Sequence, residues 1–548
     1  MTSVAEWNMA DIEQLLARAR TAPLSEEDYK ILRAMAETLV YLSELAEDKQ
    51  TTIQQLRQIL SRSGSEKMRD VLRHLEPERP PSREAAMESP PAASPDGVAG
   101  ENKPAAEQKP NGHGRNGATA YTGAKRITVT HHSLKRGQRC PECDKGKLYG
   151  QIQPATLVRI VGQPPIQATV YELEKLRCNL CGEVFTAEAP EGVGPEKYDA
   201  TSASMVALLK YGSGLPFHRL ERLQASLGIP LPASTQWDIV SETAASIEAA
   251  HEELIRQAAQ GEVLYNDDTS MKILELMKQG SSDDDFPDRT GIFTSGIVST
   301  HEGRRVALFF TGRKHAGENL TDVLAERAKT IGPPIQMCDA LARNVPKELD
   351  VILSHCIVHG RRRFVEVAPN FPAECRHVLE ILGEVYRYDA IARDQQMSPE
   401  DRLGFHQARS GPLMTELHQW FAQQLEQRKV EPNSGLGAAI AYMNKHWHAL
   451  TLFLRQPGAP LDNNICERAL KKAILHRKNA LFYKTQNGAH VGDIFMSLIY
   501  TCQLCDADPF DYLTQLQRHS PELSLNSQRW MPWNYRQTVA PAAADASG

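Results

Sequence analysis

Three acidic residues stand in contexts suited to chemistry. Asp267 ends a strand-like run in GEVLYNDDTSMKIL, Asp339 ends another in PPIQMCDAL, and Glu467 heads the stretch LDNNICERALKKAILHRKNALF over 461–482. They are 72 and 128 residues apart, a spacing that closes into one site if the residues between the second and third form an insertion. Three converging carboxylates can hold two divalent cations about 3.5–4 Å apart, the arrangement that clamps an in-line phosphoryl displacement. Hard oxygen ligands favour magnesium or manganese over zinc there. The neighbouring Asp268 is an alternative ligand to Asp267.

The surroundings of Glu467 carry a second message. From Arg468 to Gly492 there is no acid, while six Lys or Arg occur, among them Arg468, Lys471, Lys472, Arg477 and Lys478. A capping box between Asn464 and Glu467, with Lys471 as a surface ion-pair partner one turn on, is the plain structural alternative. It leaves most of that positive charge unused. Backbone phosphates of a nucleic acid are its natural counter-charge, so these five residues are the candidate DNA contacts.

The elements that must position these groups follow from patterning. Over 259–345 the chain reads β-β-β-α-β, with a hairpin turning at His-Glu-Gly, which sets Asp267 and Asp339 on separate strands able to lie side by side. Residues 346–459 read as a helical insertion and 460–500 as the return to the core, ahead of a C-terminal module over 501–548. Residues 191–258 are helical, and the two stretches around a Gly-Ile-Pro turn are compatible with a helix-turn-helix or with a plain connector.

Further toward the N-terminus, Leu32, Met35, Leu39, Leu42, Ala46, Lys49, Ile53, Leu56 and Leu60 alternate at spacings of three and four. This is a leucine-zipper-like seam over 1–75, expected to pair subunits, with Lys49 as its polar interruption. Residues 76–125 are rich in Pro, Ala, Gly and Ser with few large apolar side chains, the composition of a disordered linker. Within 126–190, Cys140-Pro-Glu-Cys143 and Cys178-Asn-Leu-Cys181 flank two alternating runs. Two such knuckles around a hairpin describe a zinc ribbon whose four thiolates close a structural Zn2+ site. Cys502 and Cys505 share the spacing but sit in an apolar helical run, where a core role is expected.

Composition bounds the whole. The chain has 548 residues and a formal net charge of −6, with a pI near 6.3, so three or four domains are expected, and the acidic balance argues against wholesale nucleic-acid coating while leaving room for local basic patches. Ten cysteines in so long a chain suggest metal binding in a reducing compartment more than a disulfide scaffold. No basic-then-apolar leader and no apolar run of about 18–20 residues is present, so a cytoplasmic protein without a membrane span is expected.

With these motifs in hand, the chain resembles the transposases of the insertion-sequence 66 family, a bacterial group with an RNase H-like DDE core. The likeness runs through the zipper ending in Ser65-Glu66-Lys67, the Pro-rich linker, the four cysteines and Leu215-Pro216-Phe217-His218-Arg219. It continues through Asp267-Asp268-Thr269, DNNICERAL, RKNALF and a C-terminal DADPFDYLTQL. The family's Cys-x-x-His-x-x-Arg pattern falls on Cys356, His359 and Arg362, for which a structural or supporting role is expected. The resemblance implies a multidomain α+β protein with catalytic Asp267, Asp339 and Glu467 and bound magnesium or manganese. It further implies double-stranded DNA as partner, both terminal inverted repeats and target, and a homodimer or higher oligomer. A non-catalytic zinc-dependent DNA-binding regulator, or an RNase H-like nuclease that does not join ends, are the alternatives.

Overall fold

The computed structural model describes residues 128, 133–142, 145–148, 163–177, 184–194, 196–279, 289–347 and 349–539. The zipper-like segment, the linker and three of the four proposed zinc ligands (Cys143, Cys178 and Cys181) lie outside the described residues. The chain divides into two units, residues 78–164 and the remainder. In the first, the Cys140 main-chain N–H donates to the Gly146 carbonyl at 2.8 Å, and Gly137 donates to Leu148, so Cys140 sits at the head of a tight turn. In the second unit, a short antiparallel pair, β1 (Lys175–Arg177) and β2 (Val184–Thr186), precedes the main body.

That body is built on a five-stranded sheet in the order β5-β4-β3-β6-β7. The strands are β3 (Val263–Ser270), β4 (Phe293–His301), β5 (Arg304–Gly312), β6 (Ile335–Cys338) and β7 (Ile352–His355). The first three form an antiparallel meander, and β6 and β7 run parallel to β3. The β4–β5 turn places Glu302 and Gly303 at φ 48° and 79°. Two successive positive φ values are what a tight two-residue hairpin demands, and Gly supplies the second without a side-chain clash.

Helices enclose the sheet. Before it come α1 (Ala200–Ala207), α2 (Phe217–Ser226) and α3 (Ala233–Ala259), with α4 (Leu274–Gln279) after β3 and α5 (Ala316–Ala325) after β5. After β7, α6 (Ile357–Val367), α7 (Pro372–Asp394), α8 (Pro399–Glu426) and α9 (Gly435–Leu450) pack around Phe364, Leu379, Leu382, Phe421, Leu436 and Met443 as a second core. The chain returns through α10 (Asn464–Ala480) and α11 (Gln486–Leu504), then ends in α12 (Pro509–Arg518) and α13 (Ser520–Leu525).

The stretch from 346 to 459 is mostly helical and takes in the fifth strand of the sheet, β7, near its start. The C-terminal stretch from 501 packs with the sheet. Helix α11 runs unbroken across that boundary, and Tyr512, Leu513, Leu516, Trp530 and Tyr535 join the core that holds the sheet. In the helical stretch before the sheet, α3 buries Ile239, Val240, Ala244, Ile247 and Leu254 in that same core. Among the described residues no helix is long and apolar enough to cross a membrane.

The edge strand β5 is sealed by an unusual ladder. Asp493, Ser497 and Thr501 recur every four residues along α11, so they share one face. Their side chains accept from the main-chain N–H groups of Thr311, Phe309 and Ala307 at 2.6, 3.0 and 3.0 Å. An exposed edge invites pairing with another chain, and buried N–H groups without partners cost about 1–3 kcal/mol each. Replacing Ser497 by Ala removes one acceptor from a fully buried site. The expected result is a loss of about 1–3 kcal/mol, read as a lower urea midpoint at an unchanged m-value.

Candidate active site

Strands β3 and β6 pair in parallel with Tyr265 opposite Met337. Two residues further along lie Asp267, still inside β3, and Asp339, one residue past β6, so the two acids follow the same end of the parallel pairing. Glu467 arrives from a third element. Helix α10 lies across β3 and β4, with the Cys466 thiol donating to the Gly296 carbonyl at 3.2 Å. Gly296 stands opposite Asp267 on β4. A Cβ there would meet Leu470 of α10 at 3.0 Å, so the helix depends on the missing side chain for its close approach.

A buried amide network, absent from the sequence reading, joins the three segments that carry the acids. Asn266 donates to the Asn344 carbonyl at 2.7 Å and accepts from Gln336 at 2.8 Å. Asn344 donates to the Asp339 carboxylate at 2.6 Å. Asn463, immediately before α10, donates to the Asn266 carbonyl at 3.0 Å, and its own N–H donates to the Cys356 sulfur at 3.3 Å. The clue in the sequence was an amide where strand alternation expects an apolar side chain, since Leu264, Asn266 and Asp268 share one face.

The electrostatics separate the two adjacent aspartates. Asp268 is nearly buried, with side-chain exposure of 2%, and lies 3.0 Å from His315 Nδ1 and 3.2 Å from the Arg343 guanidinium. Its neighbour Asp267 faces the other side of the strand, toward α10. Burial and the nearby charge of Asp339 push the Asp267 carboxyl up to about 7, with Glu467 adding to the rise. A carboxyl that resists ionisation beside two others is what a cation-binding cluster looks like without its cation.

The start of α10 corrects the capping alternative. Asn464 is the first helical residue, not the cap, and the N-cap residue Asn463 makes no side-chain capping bond. Asp462 takes that part, accepting from the Asn464 main chain at 3.1 Å and from its side chain at 2.8 Å. Glu467 lies 3.9 Å from His359 Nε2, and Cys356 completes a group whose ligand atoms are all within 4.8 Å of one another. Arg362 does not join them, since it donates to Glu366 on its own helix at 3.0 Å.

The basic residues of α10 divide. Arg468, Lys471 and Lys478 are exposed. Lys472 is half-buried and donates to the Gly212 carbonyl at 3.4 Å. Arg477 donates to the Thr269 hydroxyl at 3.1 Å and to the Ser270 hydroxyl and carbonyl, tying the helix to the end of β3. For these last two, bracing the fold is the observed role, because both reach across to another element.

Two measurements check this geometry. Asn344→Ala frees the Asp339 carboxylate and is expected to weaken Mn2+ binding about 10–100-fold in a calorimetric titration, with the circular dichroism spectrum unchanged. The raised Asp267 value makes ionisation costly in the folded, metal-free protein. Its stabilising contribution is therefore present below the ordinary value of 3.8 and is lost as pH rises to about 7. Without metal, stability should fall across that window more in the wild type than in Asp267→Asn, measured by urea denaturation at stepped pH.

The chain is 26% identical over 355 residues to the uncharacterized protein y4jD of Sinorhizobium fredii, covering 61% of this chain and 65% of that one. It is 25% identical over 390 residues to the uncharacterized protein y4hP of the same organism, covering 67% and 68%. With the uncharacterized protein y4qI the identity is 23% over 348 residues, 60% of this chain and 61% of the relative. Residues 197–491, from just before α1 into α11 and including all three acids, match the family described as Transposase IS66 family. With more than half of its length inside that match, the chain belongs to the IS66 family of transposases.

Proposed function

We propose that the chain is a DDE transposase that cuts the ends of an insertion sequence and joins them to target DNA. The observation that carries this reading is the approach of Asp267 on β3, Asp339 just past β6 and Glu467 on α10, where burial first and the charges of the other acids next raise the Asp267 carboxyl. A meander followed by two parallel strands, with Asp267 within the central strand and Asp339 just past its parallel neighbour, supports an RNase H-like core. The three carboxylates fit a pair of magnesium or manganese ions, since all are hard oxygen donors and one resists ionisation without a cation. Such ions supply charge neutralisation at the phosphate and a more acidic attacking hydroxyl.

The remaining groups have positioning work. Arg468, Lys471 and Lys478 project from α10, the helix that carries Glu467, and their charge suits the phosphate backbone of the strand being cut. Water attacks the phosphodiester at the element's end and releases a 3′-OH. That hydroxyl then attacks a target phosphodiester, so one broken bond is exchanged for another without a covalent protein link. On α2, exposed His218, Arg219 and Arg222 offer a basic face for the terminal inverted repeats. Cys140, Cys143, Cys178 and Cys181 are proposed ligands of a structural zinc on their spacing, and the zipper-like segment is proposed to pair subunits so that two ends are held together.

The test is magnesium-dependent cleavage and strand transfer on DNA carrying the element's ends. Asp267→Asn, Asp339→Asn and Glu467→Gln should each bind those ends in a gel-shift assay yet reduce cleavage to background. Variants that bind and still cut overturn the assignment. Cutting without any joining by the wild type supports a nuclease instead.

A further inference from the structure

The meeting of Cys356, His359 and Glu467 is more than the three-carboxylate reading requires. Cys356 is the N-cap residue of α6, His359 sits in the first turn of that helix, and Glu467 sits in the first turn of α10. One sulfur, one imidazole nitrogen and one carboxylate oxygen thus face each other from two helix starts, all within 4.8 Å. The separation of 3.9 Å between His359 Nε2 and Glu467 Oε1 is too long for a hydrogen bond. A tetrahedral zinc ion with bonds of about 2.0–2.3 Å sets its ligands roughly 3.5 Å apart, so small side-chain rotations would close the group around one. The sulfur is buried while the other two side chains are partly open, with exposures of 28% and 18%, which gives an ion a way in. The Asn463 N–H already points at the sulfur, a contact that steadies a thiolate.

We propose that Cys356, His359 and Glu467 form a transition-metal site for a zinc-class cation whose filling withdraws Glu467 from Asp267 and Asp339. A thiolate with an imidazole selects zinc over magnesium, whereas three carboxylates select the reverse. Glu467 is common to both sets, so the two sites compete for it. On binding, the Cys356 S–H bond breaks, its proton passes to solvent and a sulfur–metal bond forms, with no change of oxidation state. The metal site stands on its own geometry, and its inhibitory consequence rests on the transposase reading above.

Metal-stripped full chain is titrated with Co2+, following sulfur-to-cobalt charge-transfer absorbance in the wild type, Cys356→Ser and His359→Gln. The four-cysteine set contributes a common background, so the reading is the difference between proteins. The wild type should bind one more sulfur-ligated Co2+ than Cys356→Ser. His359→Gln, which spares the buried thiol and so protects against misfolding, should need roughly tenfold more Co2+ to reach the same absorbance. Identical titrations in all three overturn the site. In a second arm, magnesium-dependent end cleavage is compared with and without Zn2+. Zinc should lower the ratio about tenfold in the wild type and far less in His359→Gln, and equal inhibition in both overturns the competition. If no protein cleaves under any condition, the transposase reading fails while the cobalt difference still decides the metal site.

Discussion

Everything at the candidate site hangs on the backbone and side chain of Asn266. Its side chain holds the loop that carries Asn344, and through Asn344 the carboxylate of Asp339. Its carbonyl receives Asn463, which fixes where α10 begins and therefore where Glu467 points. Asp267 is the next residue. One amide thus references all three acids to a single point on the central strand. Each side-chain NH2 of the network has its acceptor, while the buried side-chain oxygens of Gln336, Asn344 and Asn463 have no hydrogen-bond partner among the described residues, so the bracing comes from the donated bonds. That bracing is what a cluster of like charges needs, since their mutual repulsion would otherwise spread them apart.

The surrounding architecture protects that point. The meander side of the sheet ends at β5, whose outward N–H groups are taken by Asp493, Ser497 and Thr501 of α11. Helix α10 stays close because Gly296 leaves it room and because Arg477 and Lys472 anchor it to the end of β3 and to Gly212. The helical subdomain α6–α9 has its own core, yet its first helix supplies Cys356 and His359 to the edge of the acid cluster. The helical subdomain between β7 and α10 therefore reaches the acid cluster directly.

Much of this was legible in the residues. Asp267 within VLYNDD falls on a strand, and Asp339 directly after PPIQMC follows one, because apolar side chains dominate both runs, and the hairpin turn is marked by its glycine. Strand β7 was missed because ILSH is only four residues long and gives no alternation to count. The helix cap lies one residue before Asn464, with Asp462 supplying the side-chain contact, since all three are good capping types and only geometry separates them. Charge counting treated Lys472 and Arg477 like their neighbours, although which face of a helix meets the protein depends on packing that sequence alone does not fix. The amide network was invisible for a similar reason: its partners are 78 and 197 residues from Asn266.

The placement of Glu467 beyond the helical subdomain has a consequence during synthesis. Chains emerge N-terminus first at about 5–20 residues per second. The meander and β6 are complete while α10 is still unmade, so the nascent protein holds two of its acids without the third. Any product broken off before α10 is assembled lacks the full cluster. A polypeptide ended inside the helical subdomain has the strands of the sheet but lacks both Glu467 and the α11 side chains that take the N–H groups of β5.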